Sequence, residues 1–106
     1  RNSAARAFLR PAMRRGNLAV QTRAQVTRVL FDGRRAVGVE YRQAGTLRRA
    51  MARREVILSG GAINSPQLLM LSGIGPGAEL AALGLPVLVD NANVGAHLTD
   101  HQGLNY

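Results

Sequence analysis

EVILSGGAINSPQLLMLSG, at residues 55–73, is the part of this chain that indicates its fold most specifically. Its apolar run ends in Gly60-Gly61, a pattern typical of a buried parallel strand that stops at a tight turn. Asn64-Ser65-Pro66 then supplies capping residues and an N1 proline for a helix over residues 67–71. Such an arrangement brings backbone N–H groups close to a phosphate or a ribose. The sequence therefore predicts a strand-turn-helix unit over about residues 55–72.

An antiparallel meander is predicted upstream, over about residues 26–52. Apolar and polar residues alternate in three stretches, residues 26–31, 36–41 and 46–52. In the first stretch, strict alternation puts Val26 and Val29 on opposite faces. Asp32-Gly33 and Gln43-Ala44-Gly45 supply the turns between the stretches, as in a meander.

The flanking segments complete an α/β pattern. We predict helices over residues 3–14 and 76–83 and short strands over residues 18–22 and 86–90. Only two or three strands are available for a parallel sheet, which would leave its largest face uncovered. We therefore expect an incomplete sheet, and a chain that is the middle of a larger domain.

Composition narrows the classes of function. No apolar run approaches the roughly 20 residues that cross a bilayer, so no membrane span is expected. The chain has no cysteine, which fits a cytoplasmic protein. Its net charge of +8 comes from 14 arginines against 6 acidic residues. These arginines are scattered among several segments and accompany only two Tyr and two Phe. A nucleic-acid-binding or interaction module without enzymatic activity is therefore the alternative hypothesis, and an enzyme is the leading one.

One family shares the most specific motifs. Gly60-Gly61-Ala62, then Ser65-Pro66, then LLMLSGIGP at residues 68–76 closely resemble the second signature of the glucose-methanol-choline oxidoreductases. Agreement continues in order along nearly the whole chain, at Asn17-Leu18, residues 26–30, 36–41, 54–59 and 83–87, Val94-Gly95 and Asp100-His101. Choline-dehydrogenase-like members are the most similar. The chain departs from the family at Gly60, where alanine is more usual, and at Asn91-Ala92-Asn93.

The resemblance implies a fold, a cofactor and an activity. The fold is a partial FAD-binding, Rossmann-like domain with an inserted antiparallel meander. The activity is that of an FAD-dependent dehydrogenase or oxidase, which moves a hydride from a choline-like or other primary alcohol to flavin and leaves an aldehyde. The expected partners are FAD, the remainder of a longer parent chain and a small alcohol, with no nucleic acid.

The resemblance also implies the cofactor-binding residues. Val26 would recognise the adenine of FAD through backbone N–H and C=O groups, although the residues alone favour an ordinary meander valine. Gly60, Gly61 and Ala62 would lie beside the ribose or pyrophosphate, where a small side chain lets the backbone approach.

No catalytic residue is expected among these 106 residues. The family's G-x-G-x-x-G fingerprint does not occur, and its catalytic histidine belongs to another segment. We therefore predict an internal fragment that is inactive alone and able to self-associate through its open sheet. His97 and His101 with Asp100 form too small a ligand set for a metal site, and Ser65 reads as a helix cap rather than a nucleophile.

Overall fold

The computed structural model describes residues 2–100. A π-helical turn at Ala5–Leu9 runs directly into the first α-helix, and two further helices and five strands follow in the described residues. In chain order these are α1 (Arg10–Ala12), β1 (Gln25–Asp32), β2 (Arg35–Gln43), β3 (Thr46–Met51), α2 (Gly61–Leu71), β4 (Ile74–Gly75), α3 (Gly77–Ala82) and β5 (Val89–Asp90).

The predicted antiparallel meander is present. β1, β2 and β3 are hydrogen-bonded neighbours in that order, and both pairings are antiparallel. Ala44 and Gly45 link β2 to β3 with φ of 49° and 77°, the left-handed pair that a tight two-residue hairpin requires.

The sequence predicts strict alternation along β1, but the structure does not show it. The register shifts between Val26 and Arg28, because Val26 lies opposite Tyr41 while Arg28 lies opposite Glu40. Thr27 is therefore an extra residue, a β-bulge. Since Val29 lies opposite Val39, the bulge places Val26 and Val29 on the same face of the sheet. The prediction of opposite faces was wrong.

α2 begins six residues earlier than predicted and contains Pro66 instead of starting at it. Ser65 also does not act at the expected N-cap. Its hydroxyl accepts a hydrogen bond from Gly60 N–H, at 2.9 Å, and so holds the residue before the helix from within the helix. Gly61, with φ of 89°, allows the chain to turn sharply into this first turn.

Two predicted strands have no ladder among the described residues, namely residues 18–22 and 55–59. Both stretches are without a hydrogen-bonded neighbouring strand in that part of the chain, and Ile57 is 76% exposed. A strand needs at least one neighbouring strand to bond its backbone groups, so an apolar run alone does not create one.

The remaining sheet is a short parallel pair, β4 with β5. It replaces the longer strand predicted over residues 86–90, whereas α3 agrees closely with the predicted helix. Asp90 Oδ1 accepts a hydrogen bond from Gly77 N–H at 2.8 Å, so β5 caps α3. The architecture is thus mixed α/β with open sheets, as the sequence predicted.

The core is small among the described residues. Val29, Tyr41 and Leu80 are the buried apolar side chains, while large apolar residues such as Phe8 and Leu83 are exposed. Ser72 connects the two main parts of the fold: its hydroxyl donates to Leu68 O at 2.6 Å and accepts from Val29 N–H at 2.8 Å. The end of α2 is thereby held against β1.

Candidate functional site

A cavity of about 750 Å³ opens between β1, the segment before α2, and α2 itself. Val26 and Gly60, two of the predicted cofactor-binding residues, both line it. The other lining residues are Ala24, Gln25, Val39, Val56, Ile57, Leu58, Ser59, Asn64, Ser65, Gln67, Leu68 and Leu71. This lining is largely apolar with a few polar groups, the usual character of a cofactor pocket.

The backbone of Val26 faces the free edge of β1. Thr27 Oγ1 donates to Glu40 O at 3.1 Å, so the Glu40 carbonyl points toward β1. Because successive residues of a strand alternate in direction, the backbone groups of Tyr41 point to β3 instead. Val26, opposite Tyr41, is then in a non-hydrogen-bonded pair, with its N–H and C=O directed away from β2.

Val29 shows the same orientation directly. Its N–H bonds to Ser72 Oγ, which lies on the side of β1 away from β2. Val26 and Val29 are three residues apart, a spacing that a regular strand would send to opposite edges. The bulge at Thr27 therefore turns the donor and acceptor of Val26 toward the cavity side of β1.

Gly60 forms the opposite wall in an ordinary backbone conformation, with φ of −81°. A Cβ added to Gly60 would lie 3.3 Å from both Asn64 Cβ and Ser65 Oγ, so alanine needs only a small shift of its neighbours. This agrees with the expectation that the family more often has alanine there.

Gly61 and Ala62 do not join this cavity. Gly61 has φ of 89°, and an added Cβ would meet nothing within 4 Å. Ala62 lines a second cavity of about 510 Å³, on the other side of α2, together with Met70, Gly95 and His97. The structure thus brings Val26 and Gly60 together and separates Ala62 from them, so the joint role of the four residues stays a prediction.

An ion-pair cluster lies on the opposite face of the meander, beside the bulge. Glu40, only 6% exposed, accepts from Arg28 Nε and Nη2 at 3.0 Å each, and Arg49 Nε lies 3.7 Å from its carboxylate. The hydrogen bond from Arg28 is the main reason that the pKa of Glu40 is lowered, despite an opposing effect of burial. The same hydrogen bond raises the pKa of Arg28. Glu40 is therefore a carboxylate at neutral pH.

Sequence reasoning missed Thr27, Glu40 and Ser72 as residues that build the site. Thr27 and Glu40 lie in alternating stretches that look regular, and only the pairing of two strands reveals the bulge. Ser72 belongs to the quoted signature, but its bond to Val29 joins positions 43 residues apart.

Of the two histidines, only His97 lies in the described part of the chain. His97 has φ of 60° and lines the second cavity, whereas His101 lies outside the described residues. Residues 2–100 hold no group of three or more His, Cys, Asp or Glu placed to bind a metal ion. None of the helices in that range is both long and apolar enough to cross a membrane.

Comparison with known proteins gives a consistent result. A family model described as GMC oxidoreductase matches residues 1–103. Human mitochondrial choline dehydrogenase is 59% identical over 99 residues, which are 93% of this chain and 17% of that protein. An FAD-dependent oxidoreductase from Chaetomium thermophilum superposes with a TM-score of 0.78 at 34% identity, over 82% of this chain and 15% of that one. Pyridoxine 4-oxidase from Mesorbium loti also has a TM-score of 0.78, at 37% identity, over 85% of this chain and 18% of its own.

Proposed function

This chain belongs to the GMC oxidoreductase family, and we propose that it forms the adenosine-binding part of an FAD-dependent enzyme that oxidises an alcohol to an aldehyde. The chain spans about a sixth of the length of the human relative, 17%. The enzyme that we propose is therefore this chain continued to the length of its relatives, called the complete enzyme below.

The register of β1 carries this proposal: the shift between Val26 and Arg28 implies that the backbone N–H and C=O of Val26 are directed away from β2, and Val26 lines the cavity. The edge of an adenine ring has a nitrogen acceptor beside an amino donor, which a single residue's backbone can match. Such a contact needs no polar side chain, which explains how a valine can serve. The cavity volume and its apolar walls also fit an adenine and its ribose.

The bound flavin would supply the redox chemistry by accepting a hydride from the alcohol carbon. The residues of this chain would hold the adenosine end and orient the cofactor, and none of them would be catalytic. A choline-like alcohol is the leading substrate because choline dehydrogenase is the 59% identical relative. The similarity to pyridoxine 4-oxidase supports the broader class of primary alcohols.

Amide hydrogen exchange tests the proposed adenosine site in the complete enzyme. We expect FAD to slow exchange in a peptide that covers residues 24–28, because the Val26 N–H gains an acceptor. A peptide from β3 (Thr46–Met51) is the matched control, since β3 does not line the cavity. Equal exchange with and without FAD in the first peptide would contradict the adenosine role.

The alternative function is nucleic-acid binding through the arginines. Two of them, Arg28 and Arg49, are already engaged with Glu40, which lowers the positive charge of that face of the meander. The salt dependence of binding separates the two functions, because phosphate neutralisation weakens steeply with salt concentration.

Self-association through the open edges is a further proposal that sizing in dilute solution tests. A cytoplasmic location stays a prediction from composition.

A further inference from the structure

We infer that Thr27 is a positioning residue for the cofactor site: its hydroxyl fixes the β-bulge that turns the Val26 backbone toward the cavity. The inference rests on the proposed adenosine role of Val26. It adds a determinant of FAD affinity that is not itself among the residues lining the cavity.

The Thr27 hydroxyl has two acceptors on a single residue. Oγ1 lies 3.1 Å from Glu40 O and 3.3 Å from Glu40 Oε1. A hydroxyl carries one proton, so it shares that proton between the carbonyl and the carboxylate or alternates between them. Either way, the extra residue of β1 is held to one specific residue of β2.

Glu40 is itself fixed, which makes it an effective anchor. Arg28 binds both of its carboxylate oxygens in a two-point fork at 3.0 Å, and burial leaves Glu40 6% exposed. Arg28 is also the residue that follows Thr27 and pairs with Glu40 across the two strands. The Arg28 guanidinium and the Thr27 hydroxyl therefore bind both residues of the bulge to Glu40.

Without this anchor, the strand has a regular alternative. Removing the bulge would place Thr27, rather than Val26, opposite Tyr41, and a one-residue slip reverses the direction of the residues beyond it. The Val26 N–H would then point toward β2. The Ser72 bond holds Val29 in place, so the slip would be confined to the residues before Val29.

The test compares Thr27→Val, which removes the hydroxyl at nearly constant shape, with Thr27→Ser, which keeps it. Each complete enzyme is stripped of FAD, and its affinity is measured for FAD and for ADP, which carries the adenosine half of FAD. Turnover is then measured at saturating FAD. Thr46→Val is the matched control, because Thr46 is an exposed threonine at the other hairpin. Thr27→Ala serves if Thr27→Val does not fold.

We expect Thr27→Val to weaken both FAD and ADP by about 5- to 10-fold, as the loss of one hydrogen bond would. Thr27→Ser should restore both affinities to within about twofold, and kcat at saturating FAD should stay at the wild-type value. Wild-type affinities in Thr27→Val, equal losses in Thr27→Ser, or a matching loss of kcat would each overturn the inference. Val26→Pro distinguishes a failure of the Thr27 inference from a failure of the proposed adenosine site. If Val26→Pro weakens FAD binding while Thr27→Val does not, only the role of Thr27 is wrong. If neither variant weakens FAD binding, the adenosine site is wrong.

Discussion

Ser72 and Val29 are joined by a hydrogen bond of 2.8 Å, from the Val29 N–H to the Ser72 hydroxyl. The bond connects the residue after α2 to the free edge of β1, and these two elements are opposite walls of the candidate cofactor cavity. The Ser72 hydroxyl therefore helps to set the spacing between the walls.

Replacing Ser72 tests this connection. Ser72→Ala leaves the N–H of a buried residue without its partner, which should lower the free energy of unfolding by about 1–3 kcal/mol. The exposed Ser59 lines the same cavity, so Ser59→Ala is a suitable control and should change stability little. Chemical denaturation of the complete enzyme measures both variants. Equal stability of the two variants would show that the Ser72 bond does not hold the walls together.

Glu40 should make the meander sensitive to acid. Its pKa is lowered in the folded protein, chiefly by the Arg28 hydrogen bond. A carboxyl group of this kind stabilises the fold fully above its unfolded pKa of about 4.3. That contribution is lost as the pH falls through the lower pKa that Glu40 has in the folded protein. Thr27, Arg28 and Arg49 are the polar groups that contact Glu40.

Glu40→Gln should therefore be less stable than the wild type at neutral pH and should lose less stability on acidification. Unfolding midpoints measured between about pH 3 and pH 7 give both quantities. Glu55→Gln, at an exposed position, is the control and should retain the acid dependence of the wild type. A Glu40→Gln profile that runs parallel to the wild-type profile would disprove the role of this carboxylate.

Gly60 and Gly61 form a natural pair of test positions because they differ in backbone conformation. Gly60→Ala, at φ of −81°, should retain FAD and activity. Gly61→Val, at φ of 89°, should cost about 1–3 kcal/mol in backbone strain, because a β-branched residue rarely adopts that conformation. Gly61 does not line the cavity, but strain at this residue would displace the neighbouring Gly60, which does. We therefore expect Gly61→Val to be isolated largely as apoprotein and to regain part of its activity with excess FAD. Full flavin occupancy and wild-type turnover in Gly61→Val would leave the turn with a structural role alone.

The features that the sequence predicted well are those that depend on local chemistry. Gln43-Ala44-Gly45 predicts its hairpin because glycine readily adopts the positive φ of a tight turn, and the alternation on either side predicts the paired strands. The sequence predicts the α2 helix but not the residue at which it begins. Proline favours the first helical turn, and here the positive φ of Gly61 and the Ser65 bond to Gly60 start the helix earlier.

The features that were missed depend on residues far apart in the chain. A bulge at Thr27 exists only relative to Tyr41 and Glu40, so no pattern within β1 reveals it. The separation of Ala62 from Gly60 follows from the start of α2, which turns neighbouring residues to different sides. Only the resemblance to a family, and no local pattern, predicts Val26 and Gly60 as cofactor-binding residues.

The most direct measurement compares FAD affinity in Val26→Pro and Val26→Ala complete enzymes. Proline removes the backbone N–H, and it is compatible with this position because that N–H faces the free edge of β1 rather than the ladder. We predict that Val26→Pro weakens FAD binding by about 10-fold or more, while Val26→Ala stays within about twofold of the wild type. Equal FAD affinity in the two folded variants would contradict the proposed recognition of adenine by the Val26 backbone.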